Sequence, residues 1–173
     1  WAMGKKTLSR YLNELEKEQL EEQILDLYQR FKEVKEFYDF AFNPKEDKLL
    51  EDAKVKIYNE YFPLKRKRAR KRRSIAQDLI RHFITLGVEP TITANLMFYN
   101  IEVAQSFCKL NFIGQDSFYK SILNSFDQAF KFVLEHHLER EFMPRYEAIV
   151  QQTEAQNWVN TDAFQMTILM TSV

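Results

Sequence analysis

The chain has 173 residues, 45% of them hydrophobic and 29% charged, with 25 basic side chains balancing 25 acidic ones. That length predicts one domain spanning 1–173 with enough chain to bury a core without staples, and that composition excludes disorder throughout. Three glycines and four prolines are too few for the turns of an all-β fold, one cysteine excludes a disulfide framework and a multi-cysteine zinc site, and no apolar run spans a membrane as a helix.

Trp1 and Ala2 precede Met3 and read as an expression scar with no signal peptide after it, so residues 1–4 are set aside from the fold. Residues 7–15 predict a short helix with Leu8, Tyr11, Leu12 and Leu15 on one face. A second helix starts near Lys17. Leu20, Ile24, Leu27, Tyr28 and Phe31 keep its helical period, which is expected to continue through Val34, Phe37, Tyr38 and Ala41. Asn43, Pro44 and Glu46 then fit the N-cap, first position and capping-box carboxylate of a new helix. Leu50, Ala53, Ile57 and Tyr61 form its stripe, and Pro63 ends it.

A basic loop follows at 63–73. The next periodic segment starts at Ser74 and carries Ile75, Leu79, Ile80, Phe83 and Leu86, closed by Gly87 as the C′ residue. Pro90 opens a helix over 90–109 that is apolar on most sides and is expected at the centre of the fold. Its polar stripe is Thr91, Asn95, Glu102, Gln105 and Lys109. A long helix is predicted over 116–140 with Phe118, Ile122, Phe126, Ala129, Phe130 and Val133 inward. Pro144 opens a last helix, and the tail at 159–173 is poorly patterned. The expected fold is all-α, a compact antiparallel bundle or irregular stack of six to eight helices.

The zero net charge hides an asymmetry. Residues 65–73 read KRKRARKRR, eight cations in nine positions, while the rest of the chain sums to −8. The molecule is an acidic body with one basic knot.

The strings YLNEL (11–15), EQLEEQILDLY (18–28), FNPKEDKL (42–49) and LIRHFITLG (79–87) resemble an uncharacterised bacterial family of small helical proteins, a domain of unknown function. The resemblance runs from about Lys5 to Trp158 and implies a compact helical protein of the bacterial cytoplasm. It carries no activity, cofactor or catalytic residue. The sequence departs from the family's pattern in the density of its basic run and in the tail from Thr161.

Lys65, Arg66, Lys67, Arg68, Arg70, Lys71, Arg72 and Arg73 are the candidate binding residues. Such a run is an electrostatic footprint for a polyanion, nucleic acid first, and its phosphate contacts position a protein without reading sequence. No aromatic interrupts the run, which argues against base stacking by the segment itself. The bland alternative is a solvated linker that pairs with the acidic body.

Other chemistry is weakly signalled. No Glu-x-x-His pair precedes His82, His136 or His137, no calcium loop is present, and no Gly-rich phosphate loop or Gly-x-Ser-x-Gly elbow occurs. No metal or cofactor is expected, and Cys108 reads as a core residue. Glu14 to Glu22 reads as a solvated acidic face. Phe98, set in the polar stripe, is either covered by another helix or marks a partner surface. Phe37, Tyr38, Phe40 and Phe42 are too dense for one helix face and point the same way.

The expected function is therefore a non-enzymatic binding module that contacts a polyanion through 65–73. The alternative is a structural or protein-interaction module, homo-oligomeric or not, with an incidental basic loop. An enzyme with a dispersed site at Asp78, His82 and Glu102 ranks third.

Overall fold

In a computed structural model of the chain, residues 3–65 and 68–170 are described; Trp1, Ala2, Arg66, Lys67 and residues 171–173 lie outside the described set. All regular structure among the described residues is helical, in nine helices. That is one more than the upper expectation. Backbone contacts divide the chain into two compact units, Trp1–Pro44 and Lys45–Val173.

The first unit holds α1 (Lys5–Asn13), α2 (Lys17–Arg30) and α3 (Lys32–Phe42). A capping box starts α2: the Glu16 side chain accepts from the third helical amide, and the Gln19 Oε1 accepts from the Glu16 N–H at 2.9 Å. The expected continuous helix through Ala41 is broken at Phe31, whose backbone is extended (φ −115°, ψ 118°) and caps both helices. The break lets the two halves pack on each other. The Tyr28 hydroxyl donates to Asp39 Oδ1 at 2.7 Å, and the Tyr28 and Tyr38 rings meet edge-on. Gln23 Nε2 donates to the Tyr11 hydroxyl, tying α2 to α1. No residue of these three helices is buried.

The second unit holds α4 (Glu46–Tyr61), α5 (Arg73–Leu86), α6 (Pro90–Leu110), α7 (Asp116–Glu135), α8 (Glu139–Ala155) and α9 (Thr161–Leu169). The start of α4 comes two residues after the expected position. Asn43 ends α3 instead of capping α4, and the Glu46 carboxylate accepts from the Glu89 N–H, ahead of α6, and not from its own helix start. The stripe Leu50, Ala53, Ile57 and Tyr61 is buried as its spacing predicts. Pro90 opens α6, which packs against α4, α5, α7 and α8 and is buried on most sides, from Thr93 to Phe107.

Phe98 is fully buried. Its ring stacks on Phe142 of α8 (5.2 Å between centroids) and meets Tyr146 edge-on (4.8 Å), so α8 covers the polar stripe of α6. Gln105 on that stripe is buried and donates through Nε2 to the Ile149 carbonyl at 2.8 Å.

Three helices end in Schellman turns, with a 6→1 and a 5→2 hydrogen bond around a left-handed residue. Gly87 closes α5, with Val88 N–H donating to the Phe83 carbonyl. His137 closes α7, with Leu138 N–H donating to Val133, and Asn157 closes α8, with Trp158 N–H donating to Thr153. The predicted helix over 116–140 therefore stops at Glu135. The next begins at Glu139 and carries Pro144 in its interior rather than at its start.

His137 holds φ +55° with a Cβ, a conformation that costs an ordinary residue about 1 kcal/mol. His137→Gly should raise stability by about 0.5–1 kcal/mol and the melting temperature by roughly 1–4 °C. A lower melting temperature would show that the His137 side chain stabilises the turn.

Part of the poorly patterned tail is α9. Phe164 anchors it, fully buried against Phe126 (5.1 Å) and Trp158 (5.7 Å). Asn160 Nδ2 donates to the Tyr119 carbonyl just before the helix starts.

Candidate nucleic-acid interface

Pro63 stops α4, and the described residues between it and Arg73 form no helix. Nothing in this stretch is rich enough in apolar residues to form a helix on the core. It is held instead by polar contacts to the end of α4. The Leu64 N–H donates to Asn59 Oδ1 at 3.3 Å, and the Lys71 N–H donates to the Glu60 carbonyl at 3.1 Å. Arg72 then grips the Glu60 carboxylate three times: its backbone N–H and Nε donate to Oε2 at 3.2 Å each, and Nη2 donates to Oε1 at 2.8 Å. The Glu60 side chain is only 6% exposed, so this buried carboxylate is satisfied by a charged fork. The same hydrogen bond raises the Arg72 pKa above its ordinary value. Ala69 packs on the core, and Lys71, with φ +53°, lays its ammonium over the Phe107 ring at 5.5 Å.

The eight candidate cations thus divide by role. Arg72 is engaged by Glu60, Lys71 is half-buried over Phe107, and Arg73 is the first residue of α5. Lys65, Arg68 and Arg70 are exposed. Arg66 and Lys67 lie outside the described residues.

Two adjoining grooves flank the segment. One, of about 720 Å³, lies between α4 and α6 and is floored by Val55, Tyr58, Phe62, Leu64 and Tyr99. The other, of about 640 Å³, shares Tyr58, Phe62 and Leu64 with it and continues to Phe107. Lys54, Lys56 and Lys65 line the first, and Arg68 and Lys71 line the second. Glu51 is the sole carboxylate among the lining residues, and it pairs with Lys54 at 3.6 Å. The Tyr58 ring stacks on Phe62 (4.9 Å, 27° between planes), Phe62 meets Phe107 edge-on, and Lys54 sits 5.3 Å above Tyr99. Burial, with the nearby Tyr58 and acidic groups, raises the Tyr99 phenol pKa.

These aromatics are the part that sequence reasoning missed. The run itself contains none, but the end of α4 and α6 bring five rings beside it, Tyr58, Tyr61, Phe62, Tyr99 and Phe107. The only local signal was that Tyr58 and Phe62 fall off the buried stripe of α4 at i, i+4 spacing.

The dispersed-enzyme set is otherwise engaged. Asp78 pairs with Arg81 at 3.1 Å and Glu102 pairs with Arg145, while His82 is half-buried on α5. Among the described residues no three His, Cys, Asp or Glu side chains gather as a metal site, and no helix is long and apolar enough to cross a membrane.

Cys108 is poorly suited to attack. Burial pushes its thiol up to about 11, only partly opposed by the Lys71 charge. As pH rises past the ordinary thiol value, the unfolded chain loses this proton first, so it binds fewer protons than the folded chain and stability falls. The melting temperature should therefore decline from about pH 9 to about pH 11, and Cys108→Ser should flatten the first part of the decline. Buried Tyr61 and Tyr146, whose phenols are also raised, extend the fall to higher pH. A Cys108→Ser profile that overlays the parent would remove the thiol from this account.

The chain belongs to a family of unknown function, DUF6155. The family's model matches residues 3–170, which takes in both compact units, the basic segment and α9. No curated protein and no solved structure matches the chain. Membership therefore carries no activity, and function rests on the geometry above.

Proposed function

We propose that this protein is a non-enzymatic binding module for a polyanion, nucleic acid foremost, with the basic segment 65–73 as its contact surface. The supporting observation is the placement of charge: Lys54, Lys56, Lys65, Arg68 and Lys71 come from two elements onto adjoining grooves that hold a single carboxylate. Arg72 contributes by fixing the segment, through Glu60, to the end of α4. A segment held at both ends loses less entropy on binding than a free linker.

With about four phosphates engaged, log affinity for a duplex should fall with log salt at a slope of about −3.6. Replacing Lys65, Arg68 and Arg70 with Gln should reduce that slope by about 2.7 and weaken binding at low salt. Fluorescence anisotropy with labelled duplex and single strands at two salt concentrations measures both. Unchanged affinity and slope in the triple variant would sink the proposal.

A second reading has its own observation. The three helices of the first unit bury no residue and leave Leu8, Tyr11, Ile24, Leu27, Phe31 and Phe42 exposed. That apolar surface favours self-association or a protein partner. Light scattering on purified protein tests it: a stable oligomer supports it, and a monomer at all concentrations removes self-association.

A further inference from the structure

We infer that the polyanion is single-stranded nucleic acid, with bases entering the groove between α4 and α6 and stacking on Tyr58. This rests on the polyanion reading and adds what the groove floor demands of the ligand. Phosphates satisfy the cations but not the floor. Val55, Tyr58, Phe62, Leu64 and Tyr99 form an apolar, aromatic surface in the same groove that Lys54, Lys56 and Lys65 line. A duplex keeps the faces of its bases stacked inside and offers this floor nothing. An unpaired strand offers a charged backbone and flat apolar faces in alternation, which is the combination that non-specific single-strand sites recognise.

The ring geometry suits that ligand. Phe62 stacks against Tyr58, yet Tyr58 remains 44% exposed, which leaves part of a supported ring for a planar partner to cover. Support from behind keeps the ring from turning and lowers the entropy cost of stacking. Val55 and Leu64 beside it are 63% and 90% exposed, uncovered apolar surface that a base would remove from water. The charge disfavours a cationic partner: five cations line the two grooves, and the one lining carboxylate, Glu51, offsets only Lys54 among them. An acidic amphipathic helix shares the charge but needs no flat, supported ring.

The test compares a labelled oligothymidylate of ~12 nucleotides with a duplex of equal length. The parent should bind the single strand at least tenfold more tightly. Tyr58→Leu should cost the single strand about five- to a hundredfold, the usual loss for one stacked base, while leaving duplex affinity and the salt slope unchanged. Tyr58 lies on the exposed side of α4, and an unshifted melting temperature checks that the variant folds. Val55→Glu, at a still more exposed position, places a carboxylate on the floor and should remove the single-strand preference independently. Equal binding of both forms, with Tyr58→Leu silent, would overturn this inference and leave the polyanion reading intact. No binding of either form at low salt would overturn both. Tyr58-dependent capture of an acidic amphipathic peptide, with no oligonucleotide bound, would reassign the groove to a protein partner.

Discussion

Phe98→Ala is expected to cost about 3–5 kcal/mol and to lower the melting temperature by roughly 10 °C. Phe98 is fully buried midway along α6, although its neighbours Asn95 and Glu102 on the helix surface are polar. Its ring is closed in by Phe142, Tyr146 and the Arg145 guanidinium, whose carbon lies 5.5 Å from the ring centroid. Truncation would leave a cavity between two helices whose backbones are fixed elsewhere, by the Gln105 to Ile149 bond among others, so collapse would be incomplete. The predicted loss is a large share of the ~5–15 kcal/mol that holds a typical domain together. Chemical denaturation of the variant measures it. A loss below about 1 kcal/mol would mean that α8 does not bear on α6 through this ring.

Phe98 also shows which parts of the fold were legible. Periodicity alone placed Leu50, Ala53, Ile57 and Tyr61 inward on α4, and the Gly87 and Pro90 pair marked the junction of α5 and α6. Those signals are local, carried by side-chain spacing or by backbone chemistry. Breaks that use ordinary residues were not legible. Phe31 turns the chain with an extended backbone that any residue adopts, and His137 takes the left-handed turn that Gly usually marks. Asn157 does the same before Trp158. The tail hid α9 because one residue, Phe164, supplies most of its anchoring, and one buried ring makes no period.

The candidate site divides along the same line. The cations of 65–73 were visible as composition. Their division into a structural arginine, a half-buried lysine and exposed contacts depends on Glu60, and the rings of the floor come from other helices. Tertiary placement of that kind leaves no trace in a charge run.

Arg145→Met is expected to cost about 2 kcal/mol, between two limits that bracket it. An exposed ion pair contributes ~0–1 kcal/mol, and breaking a fully buried one costs ~3–5 kcal/mol. Arg145 lies between. Its Nε donates to Glu102 Oε1 at 2.9 Å, its Nη1 to Asn95 Oδ1 at 3.1 Å, and its guanidinium covers both Phe98 and Phe142. The Arg145 side chain is 30% exposed and that of Glu102 42%, so a carboxylate left behind can take up water and the upper limit is not reached. Methionine keeps much of the apolar stem over the rings, which isolates the polar contribution from the packing. The melting temperature should fall by roughly 4–8 °C. A double-mutant cycle with Glu102→Gln should return a coupling of about 0.5 kcal/mol or more. Additive losses would assign the cost of Arg145→Met to Asn95 and the two rings, and would leave the ion pair as a surface contact of no weight.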